Sequence, residues 1–188
     1  MSITQGMGDT MVLFMQLLPF LMGYNVLWNQ RGAELLLKAL VTGILCYSAL
    51  MLFYPVPGIG AGVLEPGQDF GAYLDRMLLD GHMWVQSKTW DPEGLFSTLP
   101  ALCSQLFGVL AGRFLLTKLD RTEQIVWMLL AGLLFVWLGV VLDAILMPIN
   151  KSLWTPSYCF LMTGWALLLF CAFFWLLDAN PYRALREA

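Results

Sequence analysis

The chain has 188 residues, of which 59% are hydrophobic and only 12% are charged. A soluble domain carries about 25% charged residues, so this chain has too few charges to cover a water-exposed surface. The net charge of −3 at pH 7 argues against a nucleic-acid partner, which needs a basic surface to neutralise phosphates. The four cysteines show no CxxC spacing and have no neighbouring histidine, so neither a metal site nor a disulfide framework is indicated.

Five apolar segments each approach the roughly 20 residues that a helix needs to cross a bilayer core. They are Thr10–Trp28, Leu35–Tyr54, Leu95–Leu116, Ile125–Met147 and Tyr158–Leu177. Backbone groups in hydrocarbon must find their hydrogen bonds within the segment, which favours helices over open sheet. The sequence therefore predicts an all-α, polytopic transmembrane helical bundle in the lipid bilayer, with residues 1–188 in a single transmembrane domain.

The basic residues predict the orientation of this bundle. Seven of the ten flank short connections or follow the last span: Arg31, Lys38, Arg113, Lys118, Arg121, Arg183 and Arg186. The other three, Arg76, Lys88 and Lys151, are spread over longer loops. Because basic residues next to helix ends stay in the cytoplasm, the N-terminus is expected outside and the C-terminus inside.

The long segment 55–94 is then an extracytoplasmic loop. Its six acidic residues outnumber its two basic ones. It begins with proline and glycine turns, and the apolar spacing between Phe70 and Leu79 predicts a short amphipathic helix. A loop of this length is often functional.

Three local patterns predict helix ends and helix packing. Asp91-Pro92-Glu93-Gly94 reads as a helix start, with Asp91 at the N-cap and Pro92 at the first helical position. Thr155 or Ser157 can cap the last helix in the same way. Gly108 and Gly112 form a GxxxG pattern, which predicts close packing against another helix of the same protein.

Two isolated residues carry weaker functional hypotheses. His82 is the only histidine. It can serve as an acid or base near neutral pH, although a lone loop histidine is more often solvated or structural. Asp143 lies about one turn inside the fourth span, where a carboxylate is costly and suggests function. It can equally reach the interface or pair with Lys151.

Two longer motifs resemble one known family. The first combines Pro55-Val56-Pro57-Gly58, Asp75-Arg76 and Asp91-Pro92-Glu93-Gly94-Leu95-Phe96-Ser97-Thr98 with Gly108 and Gly112, and the second is Pro148-Ile149-Asn150-Lys151-x-Leu153-Trp154-Thr155-x-Ser157. In this order they resemble the lysosomal heparan-α-glucosaminide N-acetyltransferase family and its bacterial relatives. The resemblance covers residues 50–178, and it implies a location in the bacterial inner membrane.

The resemblance implies an enzyme that takes acetyl from cytosolic acetyl-CoA and delivers it to an amino-sugar amine across the membrane. Asp75, Asp91 and Glu93, with Arg76, are then expected to bind the sugar, while Asn150 and Lys151 meet carbonyl or phosphate oxygens. Each of these residues is also explicable as a cap or a surface charge. The catalytic residue is unassigned, since no residue here matches the family's expected histidine and His82 does not take that place.

The chain also departs from the family in having about five spans where the family has roughly eleven. We therefore expect a partial or truncated form that needs additional transmembrane helices or a homo-oligomer.

Two alternatives remain open at this point: an amino-sugar transporter component and a non-catalytic membrane scaffold. A transporter should show interrupted helices with polar groups near the midplane. The only hints are Pro19 with Gly23, and Pro100 with Ser104 and Gln105.

Overall fold

The computed structural model describes residues 30–179, which form five α-helices. They are α1 (Gln30–Phe53), α2 (Phe70–Leu78), α3 (Thr98–Leu115), α4 (Arg121–Ile145) and α5 (Pro156–Phe174), and a π-helical turn, Trp175–Ala179, continues α5. Within this range, extended backbone pairs only at an isolated bridge between Val56 and Gly60. The predicted first span, Thr10–Trp28, lies outside the described residues.

Four of these helices, α1, α3, α4 and α5, are long and apolar enough to cross a membrane. Only 17–22% of the residues in their most apolar stretches are buried within the chain. Large apolar side chains such as Leu45, Trp137 and Phe173 therefore face outward, where a bilayer would solvate them. The predicted all-α membrane bundle is confirmed, with four of its expected spans present in the described part of the chain.

Helices α4 and α5 form the closest pair, because glycines remove the side chains between them. A Cβ at Gly139 would lie 2.7 Å from the Leu161 backbone nitrogen, and one at Gly164 would lie 2.6 Å from that of Val136. Phe107 of α3 joins this pair through aromatic contacts with Phe135 and Phe160, at centroid distances of 5.1 and 5.3 Å.

Within the described residues no helix packs closely at the GxxxG pattern, so the GxxxG contact stays a prediction. A Cβ at Gly108 or Gly112 would meet no described atom within 4 Å. Both glycines instead line a groove of about 330 Å³ between α3 and α5. The close packing of small residues occurs at the glycines of α4 and α5, which are not spaced as a GxxxG.

Helix α1 packs on α3 at a second close approach. A Cβ at Gly43 would lie 3.0 Å from the Cys103 sulfur, and Leu40, Cys103 and Phe107 form one buried cluster. Toward the other end of α1, Tyr47 stacks on Phe96 with ring centroids 5.0 Å apart. This contact joins α1 to the segment that leads into α3.

The helix starts show one confirmed prediction and one wrong one. The amphipathic helix appears as α2, with Asp69 at its N-cap accepting a hydrogen bond from Ala72 N at 3.0 Å. Asp91 is not a helix cap: α3 begins at Thr98, with Ser97 at the N-cap position. The Asp91 carboxylate makes other hydrogen bonds instead: it accepts from Glu93 N and from Trp84 N.

Thr155 occupies the N-cap position of α5, as predicted, and Pro156 follows it at the first turn. Its hydroxyl does not cap the helix, however. It donates to the Pro148 carbonyl at 2.8 Å and accepts from Asn150 N at 3.0 Å. The side chain therefore closes the preceding loop.

Candidate functional site

The two sequence motifs meet at one end of the bundle, here called the loop end, where residues 54–97 and 146–155 connect the helices. They enclose a cavity of about 20 Å³. Its lining comes from α1, α2, the turn before α3 and the loop before α5: Tyr47, Met51, Asp69, Gly71, Ala72, Asp75, Trp90, Asp91, Phe96, Ser97, Ser152 and Leu153. Segments far apart in sequence thus contribute to a single polar cavity.

Asp75 is the most buried acid at this cavity, with 2% of its surface exposed. Its Oδ1 accepts a hydrogen bond from Leu95 N at 2.9 Å. Gly94 lies against the same carboxyl group: a Cβ there would overlap Oδ2 and lie 2.6 Å from Cγ. The motif glycine therefore lets the turn before α3 close over Asp75.

Burial raises the pKa of Asp75 from its ordinary value of 3.8 to about 6. The hydrogen bond from Leu95 lowers the pKa, while the neighbouring charges of Asp91 and Asp69 raise it further. Loss of hydration disfavours the charged form of a buried acid. The result is a carboxyl group whose pKa approaches neutrality, as expected of a general base.

Asp69 and Asp91 complete the acidic lining. Asp69 is 3% exposed, and its burial raises the pKa of this carboxyl group as well. Asp91 is partly exposed; its Oδ1 accepts from Glu93 N at 2.9 Å and its Oδ2 from Trp84 N at 3.1 Å. The neighbouring Glu93 side chain is exposed and does not line the cavity.

Arg76, next to Asp75 in the motif, holds the loop together. Its guanidinium donates to the carbonyl oxygens of Gly67 at 2.6 Å and Thr89 at 2.9 Å. These bonds tie the last turn of α2 to the residues before the helix and to the segment that carries Trp90. Arg76 is not among the residues that line the cavity.

Asn150 and Lys151 lie in the loop before α5. Asn150 Oδ1 accepts from Ser152 N at 2.9 Å and Leu153 N at 3.3 Å, so its side chain shapes the turn. Lys151 is exposed. Tyr47 of α1 donates its hydroxyl hydrogen bond to the Leu153 carbonyl, which fastens this turn beside the cavity.

The structure places His82 and Asp143 away from the cavity lining. His82 is exposed, with Nδ1 3.2 Å from the Asp80 carbonyl oxygen. Asp143 is exposed, and its Oδ1 accepts from Ile149 N at 2.6 Å, just past the end of α4. Among residues 30–179, no group of three or more His, Cys, Asp or Glu side chains could hold a metal ion.

Sequence reasoning missed several lining residues, including Tyr47, Trp90 and Ser152. Tyr47 lies in an apolar span and gives no local signal, because its partner Leu153 is 106 positions away. Trp90 directly precedes the Asp91 motif. Its position beside a carboxylate was the one usable signal, since ligand pockets are lined mostly by apolar and aromatic side chains with a few polar groups.

The comparisons with known proteins agree with the two motifs. The chain is 30% identical over 181 residues to human heparan-alpha-glucosaminide N-acetyltransferase, a match that covers 81% of this chain and 26% of the relative. The mouse protein of the same name is 30% identical over 160 residues, covering 70% of this chain and 24% of the relative. The chain belongs to the heparan-alpha-glucosaminide N-acetyltransferase-like family. No family model matches it.

The match spans about a quarter of the length of these family members. Membership makes the chain a relative of membrane acetyltransferases.

Proposed function

We propose that this chain forms the acceptor side of a membrane-embedded acetyltransferase that transfers acetyl from acetyl-CoA to an amino-sugar amine. The observation that carries the proposal is Asp75, a buried carboxyl group at the cavity where both family motifs meet. Kinship to a protein named for N-acetyl transfer to a glucosaminide supports the same reaction class.

Acetyl transfer to an amine requires a base near the acceptor nitrogen. An amino-sugar amine is protonated at neutral pH and cannot attack a carbonyl carbon until it loses a proton. In the proposed reaction Asp75 takes this proton, which leaves a neutral amine and a protonated carboxyl group. A carboxyl group with a pKa of about 6 is ionised at pH 7 and therefore ready to accept it.

The lining fits the acceptor better than the acetyl donor. A cavity of about 20 Å³ has no room for a coenzyme arm, and the charges of Asp69, Asp75 and Asp91 would repel its phosphates. Acetyl-CoA supplies the activated acetyl thioester. None of the described residues that line this cavity offers a cation to those phosphates, so we assign no step here to the coenzyme.

The remaining predicted residues have supporting roles in this proposal. Asp91 and Glu93 orient the sugar hydroxyls, and Arg76 fixes the loop around them through the Gly67 and Thr89 carbonyls. Asn150 and Lys151 contact carbonyl or phosphate oxygens at the rim. These assignments follow the family motifs.

The transporter alternative gains less support from the described residues. Helix α3 runs without interruption from Thr98 to Leu115, with Pro100 in its first turn, where proline is tolerated. Ser104 bonds back to the Pro100 carbonyl at 3.3 Å and accepts from Trp154 Nε1 at 3.1 Å. Its hydroxyl group therefore packs within the bundle, and this helix lacks the break expected of a transporter.

The test is acetyl transfer to glucosamine in membranes of the cells that naturally express the protein. We expect Asp75→Asn to slow formation of N-acetylglucosamine on the order of 100-fold, the contribution of a positioned base. Asp80→Asn is the matched control, an exposed aspartate in the same loop. Equal rates in wild type and Asp75→Asn would remove Asp75 from the reaction.

A further inference from the structure

The groove between α3 and α5 shares no lining residue with the polar cavity of the loop end. It encloses about 330 Å³, and its lining carries only two hydroxyl groups, those of Ser104 and Thr163. Gly112 and Phe170 line the groove and are exposed on the outside of the bundle. Because a water molecule needs several polar partners, we expect this apolar groove to hold hydrocarbon.

The groove has the depth of one bilayer leaflet. Along α3 it extends from Ser104 to Leu115, the last residue of the helix, which is a rise of roughly 16 Å. The hydrocarbon core of a bilayer is about 30 Å thick, so one leaflet contributes about 15 Å. The Trp154 indole closes the inner end of the groove, because its Nε1 donates to the Ser104 hydroxyl at 3.1 Å. A helix that crosses the whole membrane would need a longer groove.

A cation lies at the other end of the groove, away from the loop end. Phe174 continues the α5 side beyond Phe170, and the two rings stack with centroids 5.7 Å apart. The Cζ atom of Arg121 lies 5.4 Å from the centroid of the Phe174 ring. Arg121 also precedes Met128, the α4 residue of the lining, by two helical turns, which places both on one face of α4. The positive charge therefore lies one ring beyond the apolar lining.

The guanidinium of Arg121 is held in place and still has donors for an anion. Of its five N–H donors, one bonds to a described residue, from Nη1 to Gln124 Oε1 at 3.2 Å. Gln124 is fixed in turn, since its Nε2 donates to the Leu115 carbonyl at 3.0 Å. Of the two nearby acids, Asp120 caps α4 through its side chain. Glu123 lies about 200° around the helix from Arg121.

We propose that this groove binds one anionic phospholipid of the bilayer, with an acyl chain in the groove and the phosphate on Arg121. The order of groups matches a lipid within its leaflet: apolar side chains face the interior, and a cation lies at the helix ends. A guanidinium can hold a phosphate through two parallel hydrogen bonds, and basic pockets between membrane helices bind anionic lipid headgroups. The site is independent of acetyl transfer at the loop end.

Lipid binding measured by native mass spectrometry tests the charged end of the site. The purified chain in detergent is titrated with phosphatidylglycerol or with phosphatidylcholine of the same acyl chains. We expect the anionic lipid to bind about fivefold more tightly, the contribution of one arginine beside an anionic headgroup. Arg121→Gln should remove this preference, and Arg121→Lys should keep most of it. Equal affinity of the wild-type chain for the two lipids would overturn the proposal.

Two further substitutions test the charge and the groove separately. Lys38→Gln removes an exposed cation of α1, which contributes no residue to the groove, and it should bind both lipids as wild type does. Gly112→Leu fills the groove and should weaken binding of both lipids roughly tenfold or more. Its control is Ala144→Leu, which adds a similar side chain at an exposed position of α4 outside the groove. Binding unchanged in Gly112→Leu would overturn the groove as the site.

The same measurements recognise the other occupants. If Gly112→Leu dissociated a dimer or lowered the Tm while lipid binding stayed the same, a helix from a second copy or from residues 10–28 would cover the groove. Displacement of the bound lipid by acetyl-CoA would assign the groove to the coenzyme. Either result would overturn the proposal. The Arg121 variants leave the groove lining unchanged, so they still test the site if Gly112→Leu does not fold.

Discussion

At the scale of single residues, the contact between Asp75 and Gly94 does most to shape the candidate site. The carboxyl group occupies the space where any other residue at position 94 would place its Cβ. The bond from Leu95 N then fixes the turn over the acid. Through these contacts Asp75, in α2, is joined to the turn that leads into α3.

Gly94→Ala should destabilise the chain by about 1–3 kcal/mol, the usual range for a forced insertion into packed structure. The natural comparison is Gly108→Ala, where the new Cβ meets no described atom and helix propensity favours alanine by up to about 1 kcal/mol. When thermal unfolding is measured in detergent, the Tm should be lowered in Gly94→Ala and not in Gly108→Ala. A Gly94→Ala variant as stable as wild type would contradict the close approach.

Stability should also depend on pH through Asp75. Its pKa in the folded chain, about 6, is raised above the ordinary value of 3.8. The folded state therefore holds the proton more tightly, and this contribution is complete below about pH 4 and is lost as pH rises through 6. Two pKa units correspond to about 3 kcal/mol at most.

Asp75→Asn should remove that dependence, because the amide does not titrate and its oxygen can still accept from Leu95 N. We expect the Tm difference between variant and wild type to grow in favour of the variant between pH 4 and pH 7. A difference that stays constant across this range would show that burial does not perturb Asp75.

Asp91 offers a contrasting test because both of its oxygens accept backbone hydrogen bonds. Asparagine can replace only one of these acceptors, so Asp91→Asn should cost about 1 kcal/mol of stability. If Asp91 also holds the acceptor, Asp91→Asn should lower kcat/KM by tenfold or more. Glu93→Gln, at an exposed side chain, should lower kcat/KM by less. Unchanged kinetics for both variants in native membranes would reduce the motif to a structural turn.

At the scale of helices, most of the architecture was predictable because length and hydropathy determine a membrane span. Helix α2 was also predictable, since apolar residues at helical spacing follow Asp69. The start of α3 was not. Asp91 and Pro92 satisfy every local rule for a helix start, but the Asp91 carboxylate is engaged by Trp84 N and Glu93 N, and Gly94 closes over a distant acid.

The closest helix packing could not be predicted from local sequence either. No described atom lies within 4 Å of a Cβ at Gly108, whereas Gly139 and Gly164 form the close approach between α4 and α5. We expect Gly164→Leu to disrupt this pair and lower the Tm strongly, and Gly112→Leu to be tolerated in the isolated chain. If Gly112→Leu were the more damaging, a further helix would have to cover the groove between α3 and α5.

At the scale of the whole molecule, the orientation in the membrane remains a prediction from the basic residues. A cysteine introduced at Gln68, in a background lacking the four native cysteines, should react with an impermeant thiol reagent from outside. A cysteine at Lys118 should react only after permeabilisation. The reverse pattern would invert the topology and place the candidate site on the cytoplasmic side.

We also expect the purified chain to show no turnover with acetyl-CoA and glucosamine, because no residue matches the family's expected catalytic histidine. Production of N-acetylglucosamine by the purified chain would contradict this expectation. If His82→Ala then abolished that production, the exposed histidine would be the missing catalytic group.

The most direct test of the acceptor site is carbodiimide coupling of glucosamine to the folded chain, followed by peptide mass spectrometry. Carbodiimide activates a carboxyl group for attack by an amine, with loss of water to the reagent, and an amine already bound beside one carboxyl group couples there in preference to other acids. We predict a glucosamine amide at Asp75, Asp69 or Asp91, competed by excess glucosamine analogues that carry an amine but not by glucose. Adducts confined to exposed acids such as Asp80 and Glu93 would contradict the assignment of this cavity to the acceptor amine.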